Sequence, residues 1–284
     1  MLNNKVLGVD LGGTKIHAGL IEKGKVINEK RIPTPESRER DDIIAAIKSV
    51  IIELTDGEIE GIGVGMPGLV DPVNGILRAS ANLPGLIDVN LKSIFEDAFQ
   101  VPVYLNNDAN CFVVGEKHFG LGKGYDDIIG LTIGTGFGGG VIVNGILYSG
   151  KNCGVGDFSR IKYKEHDTEY YCSSQFFESE YNTSAAEAHR YALEGKGEAI
   201  DIFNKFGHNV GEAIYTLILA FDPEMIVIGG SIAKARSFFE EAMRAELESF
   251  PSRHIIDKLK IVFSEEKNAA ILGAAALYYN YKHE

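Results

Sequence analysis

Features that define several whole classes of protein are scarce or absent in this sequence. The cysteines are too few and too widely spaced for a disulfide framework or a Cys-x-x-Cys metal site; they are Cys111, Cys153 and Cys172. No run of 18 apolar residues occurs, so no membrane-spanning helix is predicted. Lys and Arg number 28 against 40 acidic residues. The resulting net charge of −12 argues against a nucleic-acid partner, because binding to a phosphate backbone needs clustered cations.

The composition is otherwise that of an ordinary soluble globular protein, with 45% hydrophobic and 24% charged residues. A chain of 284 residues is long enough for two domains with full cores. The N-terminal stretch 1–5 leads directly into an apolar strand and lacks the hydrophobic segment of a signal peptide, which predicts a cytoplasmic protein.

The stretch from Asp127 to Gly145 contains the most unusual pattern. Two apolar runs, Ile128–Ile133 and Val141–Val143, indicate buried strands, and the turn between them contains five glycines in seven residues. Because glycine has no Cβ, the backbone N–H groups of such a turn can approach a bulky anion such as a phosphate. On this stretch alone, a tight hairpin without a ligand is an equally good interpretation.

A second copy of the pattern lies near the start of the chain. Val6–Asp10 and His17–Ile21 indicate strands, and they flank the turn Leu11–Lys15. The stretch Asp10–Thr14 lines up with Thr132–Gly136, and each copy continues through a strand and a short turn into another strand. Two such hairpins indicate two related domains that hold one ligand between them. The order of strands and helices predicts an α/β fold, with a mixed sheet and helices on its faces.

Polar residues at the ends of predicted strands are the candidates for chemistry. Asp10 ends a strand beside a glycine turn, where a carboxylate can hold Mg²⁺ next to bound phosphates; capping of the turn is the alternative. Asp108 follows Asn107 at the end of another strand and can accept the proton of a bound hydroxyl. A helix N-cap is the simpler explanation of this pair taken alone. A third turn, Gly229–Ser231, can pack on a flat base, although a glycine pair after a strand is weak support.

The candidate motifs extend over nearly the whole chain. In order, they are Asp10-Leu-Gly-Gly-Thr-Lys15, Gly65-Met-Pro-Gly68, Asn82-Leu-Pro-Gly85, Asn107-Asp-Ala-Asn110, Gly115-Glu116, Gly134-Thr-Gly-Phe-Gly-Gly-Gly140 and Gly229-Gly-Ser231. This combination resembles the ROK family (repressors, open reading frames and sugar kinases) of the actin/hexokinase superfamily. The resemblance implies two ribonuclease-H-like α/β domains with a cleft for ATP and a sugar between them. We expect these domains at residues 1–117 plus 272–284 and at residues 118–271.

The resemblance also implies a role for each motif in an ATP-dependent sugar kinase. The nucleotide and its Mg²⁺ would be bound by Asp10, Gly12, Gly13, Thr14, Lys15, Gly134, Thr135, Gly136, Gly229 and Gly230. The sugar would be bound by Gly65, Pro67, Gly68, Asn82, Asn107, Asp108, Asp157 and Arg160. Asp10 would orient the Mg²⁺ through water, and Asp108 would be the general base on the attacking hydroxyl, usually the 6-OH of a hexose. The resemblance implies a homodimer as well.

Two family signatures are altered in this chain. Where the family has Gly-Glu-x-Gly-His, this chain has Gly156–Arg160, with Asp157 in place of Glu and Arg160 in place of His. Arg160 either reads an anionic or differently substituted sugar or is an ion-paired or solvated side chain. Only Cys172 matches the structural zinc motif, which normally supplies four ligands, so we expect no zinc. In its place we expect an aromatic cluster of Tyr170, Tyr171, Phe176, Phe177 and Tyr181.

Three functions compete on this basis. A DNA-binding repressor of this family would carry a helix-turn-helix domain ahead of the first motif, for which the strand beginning by Val6 leaves no room. A sugar-binding protein without catalysis is disfavoured because Asp10 and Asp108 are both present. We therefore expect an ATP-dependent kinase of a hexose or hexose derivative, with the sugar left open by the changes at Asp157 and Arg160.

Overall fold

The computed structural model describes residues 5–55 and 58–282, so the stretch 1–4, on which the signal-peptide prediction depends, lies outside the described residues. The chain forms two compact units. Unit 1 comprises Met1–Gly124, Ile146–Val155 and Glu266–Glu284, and unit 2 comprises Tyr125–Gly145 and Gly156–Glu265. The domain limits expected from the family resemblance, 1–117 plus 272–284 and 118–271, stay a prediction.

The elements follow one another in a mixed α/β order. In the first part of the chain they are β1 (Lys5–Leu11), β2 (Lys15–Glu22), β3 (Lys25–Pro33), α1 (Arg40–Leu54), β4 (Gly61–Met66), β5 (Leu69–Asp71), β6 (Ile76–Ala79), α2 (Leu91–Phe99), β7 (Val103–Asn107) and α3 (Asp108–His118). They continue with β8 (Ile128–Ile133), β9 (Phe137–Val143), β10 (Ile146–Leu147), β11 (Lys162–Tyr163), β12 (His166–Asp167), α4 (Thr168–Cys172), α5 (Ser174–Tyr181), α6 (Ala185–Leu193), α7 (Gly197–Phe221), β13 (Met225–Gly229), α8 (Glu240–Glu246), α9 (Arg253–Lys258), β14 (Lys260–Phe263) and α10 (Ala269–Tyr281). Within the described residues, none of these helices is long and apolar enough to cross a membrane.

The main sheet of unit 1 has the strand order β3-β2-β1-β4-β7. Strand β2 is antiparallel to β1 and β3, whereas β1, β4 and β7 run parallel. The register places Asp10 beside Gly65 and Gly65 beside Asn106. The three parallel strands therefore end at one edge of the sheet, where open α/β sheets bind ligands.

Helix α10 lies very close to this sheet because glycines on two central strands leave room for its backbone. A Cβ at Gly8 would be 2.0 Å from the carbonyl oxygen of Ile271, and one at Gly63 would be 1.8 Å from that of Ala274. Side chains alternate across a strand, so Leu7 on β1 faces the opposite side. There it packs in one core with the apolar stripe of α1.

Unit 2 repeats the strand pattern of unit 1. Strands β9, β8, β13 and β14 lie side by side in that order. Strand β8 is antiparallel to β9 and parallel to β13, and β13 is parallel to β14. In each unit, the first strand of a glycine-turn hairpin also pairs with a parallel strand: β1 with β4, and β8 with β13. This confirms the α/β class and the two related hairpins predicted from the sequence.

The predicted aromatic cluster exists, but its rings form two groups. Phe177 lies 5.5 Å from Phe176 and 5.1 and 5.0 Å from Phe203 and Phe206 of α7, measured between ring centroids. Tyr181 joins this group through Phe176. The rings of Tyr170 and Tyr171 form the second group, with Tyr163 and His166 as their neighbours.

Candidate functional site

The carboxyl-end edge of the unit 1 sheet brings together residues predicted from separate motifs. The side-chain amide of Asn107 donates to the carbonyl oxygen of Gly68 at 3.0 Å, and its Oδ1 accepts the N–H of Ala109 at 2.9 Å. Asn107 is thus the N-cap of α3, so the capping alternative is confirmed for Asn107. Asp108 is the first residue of the helix, and its side chain is accessible to solvent. It therefore remains available to a ligand.

A buried amide behind Asp108 fixes this strand end. Asn106 is 1% exposed, and its Oδ1 accepts the N–H of Asn107 at 2.8 Å and the side-chain amide of Asn110 at 2.9 Å. Its own amide donates to the hydroxyl of Tyr281 at 3.0 Å. Burying an amide is costly unless it is hydrogen-bonded, so this network holds the chain around Asp108 in one geometry. The sequence analysis did not single out Asn106 or Tyr281.

The protein raises the pKa of both candidate carboxyls in unit 1. For Asp10, desolvation by the surrounding protein is the main cause; Lys15 lowers the pKa and Asp108 raises it, which gives a value of about 6. Desolvation also raises the pKa of Asp108, while the backbone N–H of Ala109 opposes the change. Asp108 is accessible to solvent, but the protein fills enough of its surroundings to disfavour the ionised form. A divalent cation or a bound hydroxyl near these groups would therefore change their protonation.

The first glycine turn, Gly12–Thr14, is closed without help from Asp10. The Gly12 N–H donates to the Lys15 carbonyl oxygen at 2.9 Å, and the Thr34 hydroxyl donates to the Gly12 carbonyl oxygen at 2.8 Å. The hydrogen bonds shown for this turn among the described residues do not involve the Asp10 carboxylate, so turn capping by Asp10 is not needed to explain how the turn closes. The N–H groups of Gly13 and Thr14 donate to no backbone carbonyl of the described chain. They are free to bind an anion.

Asn82, a predicted sugar residue, lies directly against this turn. A Cβ placed on Gly13 would be 3.0 Å from the Cβ of Asn82 and 3.4 Å from Nη1 of Arg38. Only glycine leaves this approach open. The motifs at Gly13 and Asn82 are therefore neighbours in space, and Arg38, which no motif indicated, lies beside both.

The second glycine turn, Gly134–Gly136, is supported by the third. The Gly134 N–H donates to the Gly136 carbonyl oxygen at 3.0 Å, and a Cβ on Gly134 would lie 3.1 Å from the hydroxyl oxygen of Ser231. Gly230 has a φ of +99°, and a Cβ there would be 2.3 Å from the carbonyl oxygen of Ile133. The predicted nucleotide residues of unit 2 thus lie together at the ends of β8 and β13.

Glu169 is a residue that the sequence analysis missed. Its carboxylate accepts the N–H of Phe137 at 3.3 Å, and a Cβ on Gly136 would lie 2.7 Å from its Oε2. Glu169 thus lies over the second glycine turn. An acidic residue at the start of α4 was the only local signal, and such residues are common in the first turn of helices. Glu169 and Phe137 are 32 positions apart in the sequence, so no local pattern indicates the contact.

The altered signature at Gly156–Arg160 forms a short helical turn. Asp157 accepts the hydroxyl of Ser159 at 2.5 Å, and Arg160 is 71% exposed, with its Nη1 3.8 Å from the carboxylate of Asp167. This long, exposed contact agrees with the ion-pair or solvated interpretation of Arg160. Among the described residues, no group of three or more His, Cys, Asp or Glu side chains is arranged to hold a metal ion. The absence of zinc itself stays a prediction.

Comparison with known proteins identifies the relatives of this chain. The glucokinase of Thermotoga maritima is 32% identical to it over 96% of each chain. The beta-glucoside kinase of Listeria innocua is 31% identical over 95% of this chain and 96% of its own length. The crystal structure of a ROK hexokinase from Thermus thermophilus is similar, with a TM-score of 0.84, 27% identity, and coverage of 99% of this chain and all of that one. The two-domain actin-like fold class predicted above is thereby confirmed. The family model described as ROK family matches residues 6–280, and the chain therefore belongs to the ROK family.

Proposed function

We propose that this protein is an ATP-dependent sugar kinase that phosphorylates a hexose or hexose derivative at its 6-OH, with Asp108 as the general base. The carrying observation is the position of Asp108. It is an accessible carboxyl at the ligand-binding edge of the sheet, beside an Asn107 that is tied to the Gly68 turn, and its pKa is raised. A carboxylate placed near a sugar hydroxyl in this way is suited to accept its proton.

In the proposed reaction, the carboxylate of Asp108 takes the proton of the 6-OH while that oxygen attacks the γ-phosphorus. The bond between the γ-phosphorus and the bridging oxygen breaks, and ADP leaves. Little covalent chemistry is required of the protein, so positioning and charge neutralisation supply most of the rate. Asn107, Gly68 and Asn82 would orient the sugar. The network behind Asn107 keeps these groups in register during the reaction.

The nucleotide end of the proposed site fits the glycine turns. The unused N–H groups of Gly13 and Thr14 can cradle phosphate oxygens, and Lys15 adds a positive charge beside them. Mg²⁺ usually takes one or two carboxylates plus phosphates and water, so Asp10 alone is a sufficient protein ligand. The cation would supply charge neutralisation at the phosphates. Thr135, in the second glycine turn, is the corresponding candidate for phosphate binding in unit 2.

Asp157 and Arg160 are proposed to affect the binding of anionic or differently substituted sugars and to matter little for neutral hexoses. The exposed guanidinium of Arg160 is held only by a 3.8 Å ion pair, so it can move to a substrate oxygen or stay in solvent. A neutral hexose needs no such charge. We therefore expect Arg160→Gln to change kcat/KM for neutral hexoses by less than about threefold.

A homodimer in the cytoplasm remains our expectation for the working protein.

An ATP-consumption assay tests the proposal over a panel of hexoses, β-glucosides and N-acylated amino sugars. The wild type should turn over at least one of them, and Asp108→Asn should lower kcat by about 10²–10⁴-fold, because the amide cannot accept the proton. The variant should fold normally, since an Asn oxygen can still accept the Ala109 N–H. Asp97→Asn, an exposed change on α2, is the matched control. Sugar binding without turnover by the wild type would favour a non-catalytic protein, and an active Asp108→Asn would refute the assigned base.

A further inference from the structure

Arg38 lies beside the first glycine turn, in the loop between β3 and α1. Its Nη1 would be 3.4 Å from a Cβ on Gly13, and it donates to the carbonyl oxygen of Asn82 at 3.1 Å. The turn and Asn82 come from separate motifs, so this one guanidinium lies where the proposed phosphate-binding and sugar-binding residues meet. No sequence motif includes Arg38.

The backbone of Arg38 has a conformation that residues other than glycine rarely adopt. Its φ is +56°, in the left-handed region, where non-glycine residues are disfavoured. The conformation is fixed by the Arg38 N–H, which donates to Pro35 at 3.2 Å, and by Gly85, where a Cβ would be 2.2 Å from the Arg38 carbonyl oxygen. Glycine would meet the backbone requirement at lower cost. The backbone conformation of the loop therefore does not explain why a long cationic side chain stands at this position.

The charge of Arg38 is not used by a neighbouring carboxylate. Arg40, two residues away, forms an ion pair with Asp41 at 2.9 Å, and Arg31 approaches Glu29 at 3.7 Å. Within residues 5–55 and 58–282, the guanidinium of Arg38 bonds to a neutral carbonyl and lies in no ion pair. It retains several N–H donors in a planar fork, the geometry that matches phosphate oxygens.

We propose that Arg38 is a phosphate-binding residue that donates to a terminal phosphate oxygen of the nucleotide at the Gly12–Thr14 turn. This inference rests on the proposed function, because it takes the ligand of that turn to be a nucleoside triphosphate. The turn supplies the N–H groups of Gly13 and Thr14, and Arg38 and Lys15 supply positive charge. An arginine at this position would help to neutralise the negative charge on the phosphoryl group during its transfer.

Equilibrium binding without a sugar tests Arg38 separately from turnover. Calorimetry would measure the affinity of the wild type and of Arg38→Gln for Mg²⁺–ATP, for inorganic pyrophosphate and for adenosine. Loss of a charge-assisted contact should weaken the binding of Mg²⁺–ATP and pyrophosphate by about 10- to 100-fold. Adenosine affinity should change less than about twofold, since adenosine carries no phosphate. Arg38→Lys keeps the charge without the fork and should give an intermediate loss.

Arg40→Gln is the matched control, because it removes an exposed arginine two residues away, at the start of α1, and should leave all three affinities unchanged. If Arg38 served only to fasten the Asn82 loop, Arg38→Gln would raise KM for the sugar and leave the affinity for Mg²⁺–ATP as in the wild type. That result, in a variant that still phosphorylates sugar, would overturn the inference and leave the proposed function intact. An equal loss of adenosine binding would also overturn it. A wild type that binds neither Mg²⁺–ATP nor pyrophosphate would refute the proposed function and this inference together.

Discussion

Replacement of Asp10 by Asn removes a carboxyl group whose ionisation the fold disfavours. Desolvation is the main reason that the pKa of Asp10 rises from 3.8 to about 6. A folded-state pKa above the unfolded value means that the folded protein binds the proton more tightly. The free energy of unfolding is therefore lowered as the pH rises above 3.8, and the loss reaches its full size above about pH 6. The penalty disappears below pH 3.8, where Asp10 is protonated in both states.

The magnitude follows from the two pKa values. At about 1.4 kcal/mol for each pH unit between them, the ionised form costs about 3 kcal/mol at pH 8. The same linkage relation gives about 1 kcal/mol at pH 4.5, where most folded molecules are already protonated. These are upper values, because Asp10 is partly exposed and water screens its charge. Asp10→Asn should thus raise the melting temperature by up to about 6–12 °C at pH 8 and 2–4 °C at pH 4.5.

Calorimetric melting without ligands at both pH values measures this effect, with the exposed Asp97→Asn as control. The stabilised variant should also lose activity, because the proposed Mg²⁺ ligand is gone. Saturating Mg²⁺–ATP should therefore stabilise the wild type more than the variant. If the melting temperature rose equally at pH 8 and pH 4.5, or did not rise at pH 8, ionisation of Asp10 would not destabilise the folded protein and the reasoning would be refuted.

Three further outcomes are expected. Because desolvation raises the pKa of Asp108, kcat/KM should fall as the pH drops, with a midpoint above 3.8, and a pH–rate profile with a lower midpoint would contradict the burial argument. Gly63→Ala should destabilise the protein by about 1–3 kcal/mol or more in thermal melts, because the new Cβ would be 1.8 Å from a carbonyl oxygen of α10. Gly197→Ala is the control: its Cβ would meet nothing within 4 Å, and the melting temperature should not fall. Tyr281→Phe should lower kcat by about two- to tenfold by leaving the buried amide behind the base unpaired. Tyr278 lies on the same helix as Tyr281, and Tyr278→Phe removes a hydroxyl that donates to Glu60 at 2.7 Å. An equal loss of kcat in that variant would mean that only the stability of the helix matters.

Much of the fold and part of the candidate site could be predicted from local patterns. Apolar runs that alternate with glycine turns indicate buried strands and tight hairpins within ten residues or so, and both hairpins are present. The returning strand of the second hairpin was predicted at Val141–Val143, but β9 begins at Phe137, so Gly138, Gly139 and Gly140 lie in the strand and not in the turn. Asp10, Asn107 and Asp108 stand at strand ends in the sequence itself. Parallel pairing then places them at one edge of the sheet. No distant contact had to be known for these predictions.

The local patterns also left alternatives that only distances could decide. The sequence did not show whether Asn107 or Asp108 caps α3, because both side chains cap helices well. Both side chains accept the Ala109 N–H at 2.9 Å, so the backbone decides: Asn107 is extended and Asp108 is the first helical residue, which makes Asn107 the cap. The role of Asp108 in catalysis stays a proposal. Likewise, the bond from Thr34 to Gly12 showed that the turn closes without Asp10.

The sequence by itself determined the α/β class, the repeated glycine hairpins and the carboxylates at the strand ends, because each depends on neighbours along the chain. Tertiary structure decided which distant residues lie beside the candidate residues within each unit. Arg38 reaches Asn82 across 44 residues, Glu169 reaches Phe137 across 32, and Tyr281 holds Asn106 across 175. It also decided the raised pKa values, since desolvation depends on all the protein that surrounds a carboxyl group. Periodicity and motifs contain no record of such contacts, because the chain makes them only when it folds.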